Sequence, residues 1–260
     1  MTFTMFSVGH YLFIASPFVF WGLLHFQTKD KTFEQKRSLG VTLSIIGVII
    51  LLLRNIEIWV VKGFAFHYEL VPLQICHFAN FVLLIAFLKN HKTLFAFAWL
   101  FNFPAAFMSI VFANGLENYA TILTLRGFAY ISGHMLIVAL SLFAFSSGFV
   151  KLNTKVLTKL YFLLLPLYIT AHFVNMFFHF VLNSSSNYFY TVRPESGTPL
   201  ELFHQLGRSY MIGTFSSNPV YLVLTALFGV LVTLVIYTAT LYLTPKNTDE
   251  SVVYSVGSKT

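Results

Sequence analysis

Seven stretches of this chain each run for about twenty residues with hardly a charge, at roughly 6–26, 39–61, 70–88, 93–113, 126–147, 157–182 and 219–243. An α-helix rises 1.5 Å per residue, so about 20 apolar residues cross the ~30 Å hydrocarbon layer of a bilayer. Inside lipid every backbone N–H and C=O must be bonded within the protein, which restricts spanning segments to helices and closed barrels. A barrel requires many short segments of alternating polarity, whereas these runs are continuous. The fold class that follows is all-α: a polytopic membrane protein whose seven transmembrane helices form one bundle over residues 1–243, with no soluble domain. The polar tail, 244–260, is expected to be disordered and cytoplasmic. Composition agrees, since 57% of the 260 residues are hydrophobic and only 10% are charged, far from soluble averages.

Lysine and arginine in short loops mark the cytoplasmic side. The first, third and fifth loops and the tail carry 11 such residues: Lys29, Lys31, Lys36, Arg37, Lys89, Lys92, Lys151, Lys155, Lys159, Lys246 and Lys259. The opposite side has 4: Lys62, Arg126, Arg193 and Arg208. This split predicts an outer N-terminus and a cytoplasmic C-terminus. Basic loops against an anionic inner leaflet account for the net charge of +7, so no nucleic-acid partner is expected. The expected location is a membrane, as an integral protein, and the bacterial cell membrane in particular.

"MTFTMFSVGHYLF" lacks a basic leader and a small-residue cleavage motif, so the first helix is expected to remain in place. A single cysteine permits no internal disulfide. No inverted repeat of the transporter kind is visible. The segment from Asn183 to Asn218 reads as a long non-helical outer loop, and a loop of that length is uncommon without a role or structure of its own. Asn183 opens a formal N-x-S sequon, a weak signal.

Polar groups at membrane depth are costly, about 2.5–3.5 kcal/mol for a charged one, and face the bundle interior or a cavity. Helix 3 carries Gln74, Cys76, His77 and Asn80 within its first three turns, and helix 5 carries His134 about two turns down. Helix 6 carries Tyr168, His172, Asn175 and His179 as one stripe on one face. Arg54 and Glu57, three apart, are spaced to neutralise each other on helix 2, and His10 lies near the outer end of helix 1. The ordinary role of such histidines and amides is a hydrogen bond to a neighbouring helix. A lone buried cysteine is ordinarily an inert small hydrophobe. A cysteine with a histidine at the same depth is different, because imidazole can take the thiol proton and make a nucleophile.

"VPLQICHF" at the head of helix 3, "GHMLIV" in helix 5 and "NYFYTVRPESGTPLE" before the last helix resemble the YwaF-type integral membrane proteins and their animal relative, transmembrane protein 164. The first is similar to the family's LPLxxC signature with Val71 in place of leucine; the third resembles its N-Y-x-x-x-x-x-P stretch. The 58 residues separating Cys76 from His134 also resemble the spacing of the animal protein's catalytic pair. The resemblance covers about residues 70–243. It implies a cysteine-dependent lipid acyltransferase, with Cys76 as nucleophile and His134 as base, moving a fatty acyl chain from a donor phospholipid to a lysolipid acceptor without metal or cofactor. Asn80, Glu57, His172 and Asn175 are the groups that could steady the imidazole and the oxyanion; the depth of their stripe favours His172 and Asn175. Two other readings stand beside it. One is an intramembrane metal hydrolase using His134, His172, His179 and Glu57; the other is a small-molecule binding or transport protein with the outer loop as lid.

Overall fold

The computed structural model describes residues 2–117 and 121–243; the tail from 244 lies outside them. Among the described residues, seven helical segments are long and apolar enough to cross a membrane. The first two crossings are α1 (Val8–Thr28) and α2 (Phe33–Val61). Thr32 and Gln35 close a reciprocal capping box at the start of α2, satisfying two N–H groups that a helix start leaves unpaired. The third crossing is shorter than its apolar run. A 3-10 turn at Tyr68–Leu70 and a bend through Pro72 come first, and α3 proper is Ile75–Lys89.

The fourth crossing is broken. It consists of α4 (Lys92–Phe97), a π-helical turn at Ala98–Asn102 and α5 (Phe103–Val111) with Pro104 in its first turn. A π turn adds a residue to the helix and aims neighbouring side chains in new directions. Here Trp99 stacks between Phe145 and Phe103, with ring centroids 4.2 and 5.0 Å away, and donates a 2.9 Å hydrogen bond to the Thr240 hydroxyl. A single turn, α6 (Asn114–Glu117), leads on to α7 (Leu125–Ser146), α8 (Thr154–Leu182) and, after the 183–218 loop, α10 (Pro219–Leu243).

α7 is the axis of the bundle and packs against α1, α2, α3 and α5. Lipid is as apolar as leucine, so helices associate in it through close packing and interhelical hydrogen bonds. Gly40 shows the packing: a Cβ there would fall 2.4 Å from the Phe87 ring, and only glycine lets α2 approach α3 so closely. His10 shows the bonding. Its Nδ1 accepts from Phe6 N at 3.0 Å and its Nε2 reaches the Ile110 carbonyl at 2.9 Å, leaving the ring fully satisfied and buried. By contrast α8 and α10 expose rows of Phe, Leu and Val, among them Phe162, Phe173, Phe177, Val223 and Leu231, as helices facing lipid do.

The segment 183–218, expected to be free of helix, has structure of its own. It holds a 3-10 turn at Tyr188–Tyr190, the short helix α9 (Leu200–Leu206) and a hairpin of β1 (Tyr210–Ile212) and β2 (Phe215–Ser217). Polar loop composition hid α9 because its seven residues make too few turns to show a period.

Candidate active site

A cavity of about 970 Å³ opens between α2, α3, α5, α7, α8 and α10 beneath the 183–218 loop. Its walls change character along its length. Arg54, Glu69, Arg126, Asn187, Arg193 and Glu195 line the loop end, while Phe101, Phe103, Ile137, Leu164, Val232 and Ile236 line the deeper part. A chamber that is charged at one end and greasy at the other matches an amphiphile.

The charged end is organised by one carboxylate. Glu69, delivered by the 3-10 turn, lies 2.8 Å from Arg54 and 3.1 Å from Arg126, and its carbonyl accepts a second bond from Arg54 at 2.9 Å. The sequence spacing had paired Arg54 with Glu57. In the structure Glu57 instead accepts the backbone N–H of Arg126 at 2.6 Å, placing negative charge at the start of α7, where the helix dipole favours it. Glu57 therefore organises α7 and does not line the cavity. Burial pushes the Glu195 carboxyl up from the usual carboxylate range, with Arg193 pulling the other way.

Cys76 and His134 both face the cavity. The thiol lies deep in the bundle but is half-buried because the cavity exposes it, and the imidazole interacts with it electrostatically. Ser109 Oγ is 3.9 Å from the sulfur. His134 Nδ1 sits 2.6 Å from the Tyr130 carbonyl. A carbonyl can only accept, so Nδ1 carries the hydrogen and Nε2 keeps the lone pair. The tie fixes tautomer and ring orientation, the task a third group performs in nucleophile–base pairs.

Cys76 is the second residue of α3. The N-cap, Gln74, makes no side-chain cap bond, so the first-turn N–H groups have no intrahelical partner, and the Cys76 N–H lies against its own sulfur. Asn80, one turn on, donates to the Cys76 carbonyl at 2.9 Å and lines the cavity beside it.

His172 and Asn175, the favoured supporting groups, serve elsewhere. Asn175 accepts from Tyr188 N at 2.9 Å and donates to the Tyr188 carbonyl at 3.0 Å and Thr191 Oγ1 at 2.8 Å. His172 Nε2 lies 3.4 Å from Ser217 Oγ, and His179 Nε2 lies 3.0 Å from Thr214 Oγ1. Their stripe faces the 183–218 loop and holds it down. The four residues of the metal reading are thus dispersed, and among the described residues no three His, Cys, Asp or Glu side chains converge as a metal site. Tyr190, which sequence reasoning missed, enters the cavity from the loop; nothing periodic marks a loop residue.

The sequence model described as the TMEM164 family matches residues 3–237. Neither a curated protein nor a solved structure matches the chain.

Proposed function

The chain belongs to the TMEM164 family, and from that premise we propose that it transfers fatty acyl chains between membrane lipids through a thioester on Cys76. One observation carries the reading: a thiol and an imidazole that line the same chamber, the imidazole tied by one nitrogen to a backbone carbonyl and the chamber charged at one end and apolar at the other. Its volume lies at the upper end of the roughly 300–1,000 Å³ typical of ligand pockets.

In the proposed reaction His134 Nε2 takes the thiol proton and the sulfur attacks the ester carbonyl carbon of a donor phospholipid. The carbonyl oxygen becomes an oxyanion, with the Cys76 N–H as a donor at the start of α3. Collapse breaks the carbon–oxygen bond to the lysolipid, whose alkoxide takes the proton from His134. An acceptor hydroxyl then gives its proton to His134 and attacks the thioester; the carbon–sulfur bond breaks, and the thiolate recovers its proton. This is ping-pong acyl transfer, which uses no metal or cofactor. Glu69 and its two arginines supply charge for a lipid headgroup at the mouth. On the topology expected from the lysine and arginine bias, that mouth lies on the outer face, at the level where lipid ester groups lie.

The test is incubation of the protein in vesicles with a phospholipid of defined acyl chain, followed by intact-protein mass and lysophospholipid release. The acyl mass should sit on Cys76 and vanish in Cys76→Ala. Lysolipid release in His134→Ala should fall by about 10²–10⁴-fold, the usual contribution of a general base. Cys76 reacting no faster than a free thiol, with His134→Ala unchanged, would return the cavity to a binding or transport role.

A further inference from the structure

The 183–218 loop lines the cavity along much of its length, and its backbone is strained where Phe189 and Tyr190 reach in. Phe189 and Tyr190 are successive non-glycine residues with φ of 53° and 54°. Left-handed backbone at such residues is strained and persists only where the surroundings enforce it. They are enforced here from three sides. Asn175, fully buried in α8, clamps both backbone groups of Tyr188. The Tyr221 hydroxyl on α10 donates to the Tyr190 carbonyl at 2.6 Å, and the Tyr188 hydroxyl donates to the Tyr68 carbonyl beside α3.

What this arrangement accomplishes is the placement of one side chain. Tyr190 lines the cavity together with Cys76 and His134, within electrostatic range of the sulfur. Three nearby donors are already engaged: Ser109 with the Ala105 carbonyl at 3.1 Å, Tyr130 with the Ser109 carbonyl at 2.9 Å, Asn80 with the Cys76 carbonyl. The Tyr190 hydroxyl is committed to no acceptor among the described residues. Burial also pushes this phenol above its ordinary range, which keeps it a neutral donor at physiological pH.

Attack on an ester places a full charge on the carbonyl oxygen, and the Cys76 N–H is one donor for it. We propose that the Tyr190 hydroxyl is the second oxyanion donor, held over Cys76 by the strained Tyr188–Thr191 segment. The proposal rests on the acyl-transfer reading. Removing one such donor typically costs 10²–10³ in rate.

The test pairs two reagents on the full chain in phosphatidylcholine vesicles, with wild type and Tyr190→Phe. A p-nitrophenyl fatty ester acylates Cys76 through an oxyanion and releases p-nitrophenolate. A chloroacetamide lipid alkylates the same sulfur by displacing chloride, with no oxyanion formed. Tyr190→Phe should slow acylation by 10²–10³-fold while alkylation stays within about twofold and the melting temperature is unchanged. Acylation at the wild-type rate, or equal slowing of both reactions, would overturn the assignment; the second result would make Tyr190 a packing element. Wild type that is alkylated at Cys76 but never acylated would overturn the acyl-transfer reading, and this proposal with it.

Discussion

Gly47 on α2 offers a perturbation whose size can be worked out. It lines the cavity, and a Cβ there would stand 2.7 Å from Asn80 Oδ1, with Leu136 next at 4.0 Å. Ordinary contact begins at 3.4 Å, so Gly47→Ala forces the Asn80 amide to retreat by roughly 0.7 Å. The same amide holds the Cys76 carbonyl at 2.9 Å. That carbonyl also has its place in the α3 ladder, so losing the side-chain bond costs only about 0.5–1 kcal/mol. The gain of about 1 kcal/mol from replacing glycine by alanine inside a helix offsets it. Stability should therefore hardly change, while the sulfur shifts by a fraction of an ångström. A 1 Å misplacement of a reacting group costs about 10²-fold, so Cys76 acylation by the nitrophenyl ester should slow by about 10–100-fold. In Gly47→Ala/Asn80→Ala the steric conflict is gone, and the rate should match that of Asn80→Ala alone, since contacting residues do not act additively. A full wild-type rate in Gly47→Ala, or a double variant slower than either single one, would refute this account of how α2 positions the nucleophile.

Asn175→Ala deletes three buried hydrogen bonds and leaves Tyr188 N without a partner, a loss of about 1–3 kcal/mol for the orphaned group. Limited proteolysis should then cut between 183 and 218 at concentrations that leave wild type intact. Glu195 gives a pH signature. Its folded value lies above the ordinary 4.5, so its stabilising contribution is fully present below 4.5 and is lost as pH rises through the folded value. Glu195→Gln should remove that decline, seen as a flatter melting temperature between pH 4.5 and neutrality.

The seven crossings were legible because a run of apolar residues is a one-dimensional signal and lipid leaves the backbone few alternatives. Cys76 and His134 could be singled out by type and depth, but periodicity does not fix the rotation of a helix that is apolar all round. The helix 6 stripe illustrates the limit. Tyr168, His172, Asn175 and His179 do have shared roles, yet their partners Leu222, Ser217, Tyr188 and Thr214 come from a loop and helix whose path no spacing reveals. Likewise Arg54 finds Glu69 rather than the nearer-spaced Glu57, because a 3-10 turn folds position 69 back over α2. Tyr190 fell at an unspecified position of the N-Y-x-x-x-x-x-P stretch, and nothing in the apolar run marked the π turn.

The anchoring of Tyr190 has a mechanical consequence. Its turn is bolted to α8 through Asn175 and to α10 through Tyr221. Those helices meet the rest of the bundle chiefly through α4 and the π turn. Any outward displacement of α8 and α10 from the central helices therefore carries the Tyr188–Tyr190 turn with it.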